Sequence, residues 1–169
     1  MTPQELLIDA FGRVRDGVAD LVTGMTAEEL AWRPGPKANS VAWLVWHLSR
    51  IQDDHVAGVA GTDQVWTSGG WDDRFALPFD ARDTGYGHDP DQVAAVRPPS
   101  GRLLADYHDA VHAQTVRFLG SADAADLDRV VDRRWDPPVT LAVRLVSVIG
   151  DDMAHLGQAQ YVRGLHAGQ

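Results

Sequence analysis

Apolar residues recur every three or four positions in four long stretches of the chain, the period of a helix with one buried face. In the first stretch, from about 2 to 25, the stripe is Leu7, Phe11, Val14, Val18 and Leu21, with Arg13, Asp16 and Asp20 opposite. Thr2-Pro3 with Glu5 behind them reads as an N-cap, an N1 proline and a capping-box acid. Thr26-Ala27-Glu28-Glu29 suits a short extra turn. Gly35-Pro36 marks a loop, and Asn39 or Ser40 can cap a second long helix carrying Val41, Leu44, Val45, Leu48, Ile51 and Val59 and ending at Gly61. A third follows Pro98-Pro99-Ser100, with Leu103, Leu104, Tyr107, Val111 and Phe118 on one side. A fourth starts near Thr140, carries Leu141, Leu145, Val148, His155, Ala159 and Val162, and ends near Gly164.

Between these stretches the period fails. Residues 62–98 are rich in Gly, Pro, Asp and Trp, and only Asp89-Pro90 suggests a cap, for one short helix through Val93 and Val96. A second connector, from about 120 to 138, holds Trp135 and Pro137-Pro138. Neither contains a convincing strand. The pattern predicts an all-α four-helix bundle as one domain over 1–169. It has a long irregular loop between helices two and three, and one connection that crosses over instead of turning back tightly.

Composition narrows the function. With no cysteine in 169 residues, disulfides, thiolate metal ligands and a cysteine nucleophile are excluded, so any thiol chemistry needs a thiol brought in by a substrate. The net charge of −9 and the scattered basic residues, with Arg133-Arg134 the one adjacent pair, argue against nucleic acid and anionic membranes as partners. No apolar run approaches the ~20 residues of a membrane span, and the first residues lack a signal-peptide pattern. A cytoplasmic protein acting on a small molecule is expected. No phosphate loop, nucleotide fingerprint or nucleophile elbow is present.

The chemistry lies where polar side chains interrupt apolar stripes. His47 sits between Leu44 and Ile51 and points inward. Asp151 and His155 are four apart, about 40° from each other around a helix, so both can grip one ion. Two histidines and one carboxylate leave a coordination position open, the arrangement of a catalytic site. Taken singly, His47 also reads as a satisfied core histidine, and Asp151 with His155 as a surface ion pair. Asp152 could replace Asp151. Asp54 lies seven after His47, near enough to its face to accept a hydrogen bond from a ligand ring, and Gln158 could orient His155. His108 and His112 share the i, i+4 spacing, but their polar neighbours Asp106, Asp109 and Gln114 suggest a solvated face. The tryptophans, Trp43 and Trp46 beside His47 and Trp66 and Trp71 in the loop, read as core and lid packing, or as walls of an apolar pocket.

Ser40-Val41-Ala42-Trp43-Leu44-Val45-Trp46-His47-Leu48 with Asp53-Asp54-His55, and Asp151-Asp152-Met153-Ala154-His155-Leu156-Gly157-Gln158-Ala159, resemble the second and last helices of the DinB-like superfamily. The loop Trp66-Thr67-Ser68-Gly69-Gly70-Trp71 with Thr84-Gly85-Tyr86-Gly87-His88 is similar to the actinobacterial branch grouped with mycothiol-dependent S-transferases. The resemblance implies a four-helix bundle, often dimeric, with zinc or nickel on His47, Asp151 and His155. Many relatives have His at the position of Asp151, and the related maleylpyruvate isomerases have Glu. The activity implied is a metal-dependent thiol S-transferase using a low-molecular-weight thiol such as mycothiol, with Arg163 as a contact for the thiol or a surface ion pair. The alternatives are a thiol-dependent isomerase of the maleylpyruvate type and a non-catalytic bundle binding metal or a small ligand.

Overall fold

Side-chain caps set the boundaries of the long helices in the computed structural model, which describes residues 1–168. Thr2 and Glu5 form the expected capping box ahead of α1 (Pro3–Val22). A second box, Thr26 with Glu29, opens the short α2 (Ala27–Ala31). The Ser40 hydroxyl accepts from Trp43 N–H at the start of α3 (Val41–Ala60), which ends on Gly61 in the left-handed conformation. Three short helices then replace the expected irregular loop. They are α4 (Val65–Ser68), α5 (Trp71–Phe75) and α6 (Pro90–Ala95), the last capped by Asp89 as its sequence suggests. Ser100 caps α7 (Gly101–Ser121), and Thr140 caps α8 (Leu141–Ala167), one turn longer at its C-terminus than the periodicity indicates.

The four long helices form the bundle, and their side-chain pairs give its directions. On α1 and α7, Arg15 meets Asp109 and the backbone of Val22 meets Gly101, so the two run antiparallel. On α3 and α7, Ser49 bonds His108 and Gln52 bonds Thr115, so these run parallel. His47 faces His155 and His55 faces Arg144, making α3 and α8 antiparallel, while Gly17 against Leu156 and Leu21 against Arg163 make α1 and α8 parallel. Since consecutive long helices α3 and α7 are parallel, the chain between them must return along the bundle, which is the predicted crossover.

Two expectations need correction. The second connector is not strand-free: β1 (Val130–Asp132) and β2 (Val139–Thr140) pair antiparallel, with Val130 opposite Thr140 and Asp132 opposite Val139. The ladder is too short for any period-2 signal to stand out. His108 is fully buried, and His112 is half-buried with its Nε2 sealed from water, so they do not form a solvated face. α7 packs against both α1 and α3, so it buries a wide arc, and Ser49 satisfies His108 Nδ1 at 3.0 Å.

The apolar stripes meet as predicted. Leu7, Phe11, Val14, Val18 and Leu21 are all buried, as are Leu44, Val45, Leu48, Leu104, Val111, Leu145 and Val148. The crossover adds an aromatic group, with Trp66 against Tyr107 at 5.1 Å and Trp71 against Tyr107 at 5.5 Å between ring centroids. A buried polar network ties the crossover down. Asp53 accepts from the N–H groups of Val65 and Trp66 and from Tyr107 Oη. The fully buried Arg50 donates to the carbonyls of Ala81 and Asp83 and to Gln64 Oε1. No helix among the described residues is long and apolar enough to cross a membrane.

Candidate metal centre

Helix α3 supplies His47 and α8 supplies Asp151 and His155, and their ligand atoms lie within 4.8 Å of one another. The two histidine rings stand edge to face, 4.9 Å apart, and Trp43 stacks on His47 at 4.6 Å. His47 Nδ1 lies 2.5 Å from the carbonyl oxygen of Thr84. A carbonyl can only accept, so the ring proton sits on Nδ1 and the Nε2 lone pair is free. His155 repeats the arrangement, with Nδ1 donating to Gln158 Oε1 at 3.2 Å and Nε2 3.6 Å from Asp151 Oδ1. The other oxygen of Asp151, Oδ2, is buried and has no hydrogen-bond partner among the described residues. Burial pushes the His47 pKa down; the Thr84 hydrogen bond opposes this and His155 adds to it, so the net shift favours the neutral ring that a ligand must be.

Thr84 reaches His47 because the backbone turns sharply behind it. Gly85 has φ +89°, and a Cβ there would come within 2.9 Å of His47 Nδ1 and of the Trp46 ring. Asp83 and His88 brace the turn. Asp83 Oδ1 accepts from Gly85 N–H at 2.8 Å, His88 Nε2 lies 3.1 Å from the same carboxylate, and Trp43 Nε1 donates to His88 Nδ1 at 3.1 Å. Partial burial raises the Asp83 pKa, but the Gly85 and His88 hydrogen bonds outweigh it and the net shift is downward. The Thr-Gly-Tyr-Gly-His run is visible in the sequence, yet nothing local shows that it touches His47.

Of the other residues singled out, Gln158 does meet a triad histidine. Asp54 does not: its Oδ1 accepts from Gln64. Asp152 points into the bundle, fully buried, with neither oxygen hydrogen-bonded among the described residues. Burial first, and the neighbouring Asp151 charge second, push its pKa well above the usual carboxylate range. The carboxylate in the cluster is therefore Asp151. Among the described residues Arg163 forms no ion pair, and it donates to the carbonyls of Asp20 and Leu21 near the end of α1. His55, Arg144 and Trp135 border the same cleft as His47 and Asp151. Sequence reasoning gave them no role, since they come from three separate elements.

Parallel and antiparallel helices around a His/Asp/His cluster define a helical-bundle protein with a candidate metal site between α3 and α8, at the edge of a cleft. The chain belongs to the DinB superfamily, whose family model matches residues 10–159. It is similar over its whole length to a conserved protein from Enterococcus faecalis. That crystal structure superposes with a TM-score of 0.92 at 35% identity, covering 100% of this chain and 99% of that one. None of the curated proteins matches the chain.

Proposed function

We propose that the chain is a metal-dependent thiol S-transferase, with zinc or nickel held by His47, Asp151 and His155 and a low-molecular-weight thiol, such as mycothiol, as nucleophile. The observation that carries the reading is the orientation of the donors. Both Nδ1 atoms are occupied by acceptors, both Nε2 atoms are left for a ligand role, and a buried carboxylate oxygen has no other partner. Three protein donors leave an open position, and the carboxylate makes the donor set harder than three histidines and would lower the Lewis acidity of the ion it holds. His47, Asp151 and His155 would hold the divalent cation, whose charge would supply thiol activation by favouring the thiolate at neutral pH.

The residues do the rest. His47 and His155 are pre-aimed by Thr84 and Gln158, so no ring has to turn on binding. The thiol proton leaves to solvent, the sulfur forms a bond to an electrophilic carbon, and the leaving group departs with the electron pair of its own bond. The apolar cleft beside the triad would hold a hydrophobic electrophile close to the sulfur. The absence of cysteine agrees with a nucleophile that arrives as substrate. The loop resemblance to the mycothiol-dependent branch supports that class of thiol.

Metal content of protein purified without an affinity tag is the direct test. About one zinc or nickel per chain is expected, lost in His155→Ala, together with metal-dependent consumption of thiol by a model aryl halide. Protein that takes up neither ion would sink the proposal.

A further inference from the structure

Two residues of the triad line a cleft of about 450 Å³ at one end. His47 and Asp151 stand at that end, and Arg144 and His55 at the other. Arg144 precedes Asp151 by seven residues of α8, nearly the same face and about 10 Å along the axis. The wall between is mostly apolar, with Ile51 and Val148 along it, and its one hydroxyl, that of Ser147, donates to the Val143 carbonyl. At the rim Tyr86 and Trp135 are 89% and 66% exposed, large aromatic surfaces left in water that a bound hydrocarbon would cover.

The Arg144 end carries unbalanced charge. Arg144 Nη2 bonds Asp132 Oδ2 at 3.1 Å, but Arg134 already grips that carboxylate through Nε at 3.0 Å and Nη2 at 2.8 Å. Two guanidiniums on one carboxylate leave +1 at this end; the other carboxylate lining the cleft, Asp151, stands at the triad end, about 10 Å along α8. Arg133 and Asp54, which border the outer side, cancel each other. Arg144 Nη1 donates to His55 Nδ1 at 3.1 Å, which leaves the His55 proton on Nε2 as a further donor. The Arg144 Nε–H and this His55 N–H have no partner among the described residues. A chain of net charge −9 thus keeps a locally positive, partly buried fork at the end of an apolar cleft.

We propose that Arg144, with His55, is a carboxylate-binding subsite, and that the cleft takes an amphipathic monocarboxylate with its anion on Arg144 and its reactive end at the triad. This deepens the S-transferase reading and rests on the triad being the reacting centre. A single net charge matches a monoanion better than a phosphate dianion, and the planar fork of arginine suits a carboxylate.

Calorimetric titration of the metal-free protein with 6-phenylhexanoate and with 6-phenylhexan-1-ol tests the subsite without the metal. The acid is expected to bind at least about tenfold tighter than the alcohol, an increment typical of one charge-assisted pair. In Arg144→Gln that advantage should shrink to about twofold, with the alcohol unchanged. Arg144→Lys, which keeps the charge and loses the fork, should fall between. Equal affinities in the parent, no binding of either compound, or an acid preference that survives Arg144→Gln would each overturn the proposal.

A second arm uses zinc- or nickel-loaded protein with ω-mercaptocarboxylates and the matching mercaptoalcohols. The carboxylate advantage should be missing in mercaptoacetate and appear in longer chains that span the cleft. If thiols bind regardless of the carboxylate, the subsite fails and the metal-thiol reading survives. If the acid preference persists but thiol binding does not depend on metal, the reverse holds.

Discussion

His108 shows how burial turns a single side chain into a pH-dependent element of stability. It is sealed inside the bundle, and burial, helped by His112 and opposed by Asp109, pushes its pKa from 6.5 down to about 3. The folded state holds the ring neutral while the unfolded chain protonates it as the pH falls below about 6.5. Its contribution is therefore complete above that pH and is lost progressively down to about 3, by at most about 1.4 kcal/mol per pH unit. Burial lowers His47, His55 and His112 in the same sense. Asp152, whose pKa burial raises, acts in the opposite sense, so the readout is a difference: between pH 7 and 4 the urea midpoint of the parent should fall relative to that of His108→Gln by up to one proton's slope. An unchanged slope would show that His108 is not the titrating group.

The turn 83–88 positions the triad although it donates no ligand. The turn bonds His47 through the backbone carbonyl of Thr84, at a point where Gly85 must adopt φ +89° and carry no Cβ. Gly85→Ala should push Thr84 off the ring, free the orientation of His47 and weaken metal binding by about 10- to 100-fold, the usual effect of losing the group that orients a ligand histidine. Competition with a chelator measures this directly. Retained affinity in Gly85→Ala would mean that His47 is held by Trp43 stacking alone.

The crossover is attached to the bundle by buried polar contacts as well as by its tryptophans. Arg50 spans from α3 to the carbonyls of Ala81 and Asp83, and its guanidinium lies 3.7 Å from the buried Asp53 carboxylate. Arg50→Met removes the anchor and strands the Asp53 charge, which should cost about 3–5 kcal/mol. Hydrogen exchange in residues 76–88 should accelerate far more than in α1, and metal affinity should fall as the Thr84 contact loosens. Equal acceleration throughout would indicate global destabilisation without a specific role for Arg50 in holding the crossover. The charge distribution also acts over the entire molecule: within a net charge of −9, the Arg134 and Arg144 pair on Asp132 holds a small positive patch beside the cleft.

Much of this was legible before any coordinates. The stripes Leu7 to Leu21 and Leu141 to Val162, with the caps Thr2 and Ser40 and the helix starts after Ser100 and near Thr140, determined four helices and the faces they bury, because helical period and capping are local properties of neighbouring residues. The same periodicity placed His47 on an inward face and set Asp151 and His155 four apart along one side of α8, where both are half-buried. Three things needed tertiary structure. The small ribbon of β1 and β2 was too short to leave a pattern. The burial of His108 depended on α7 packing against two helices at once, whereas its polar neighbours suggested water. The choice of Asp151 over Asp152 depended on where α3 crosses α8, since adjacent carboxylates on one helix differ by about 100° of rotation and only the crossing decides which meets His47. The Thr84 carbonyl and the Arg144 end of the cleft belong to the same class. They are contacts between distant segments, and nothing in the residues on either side of them announces the partner.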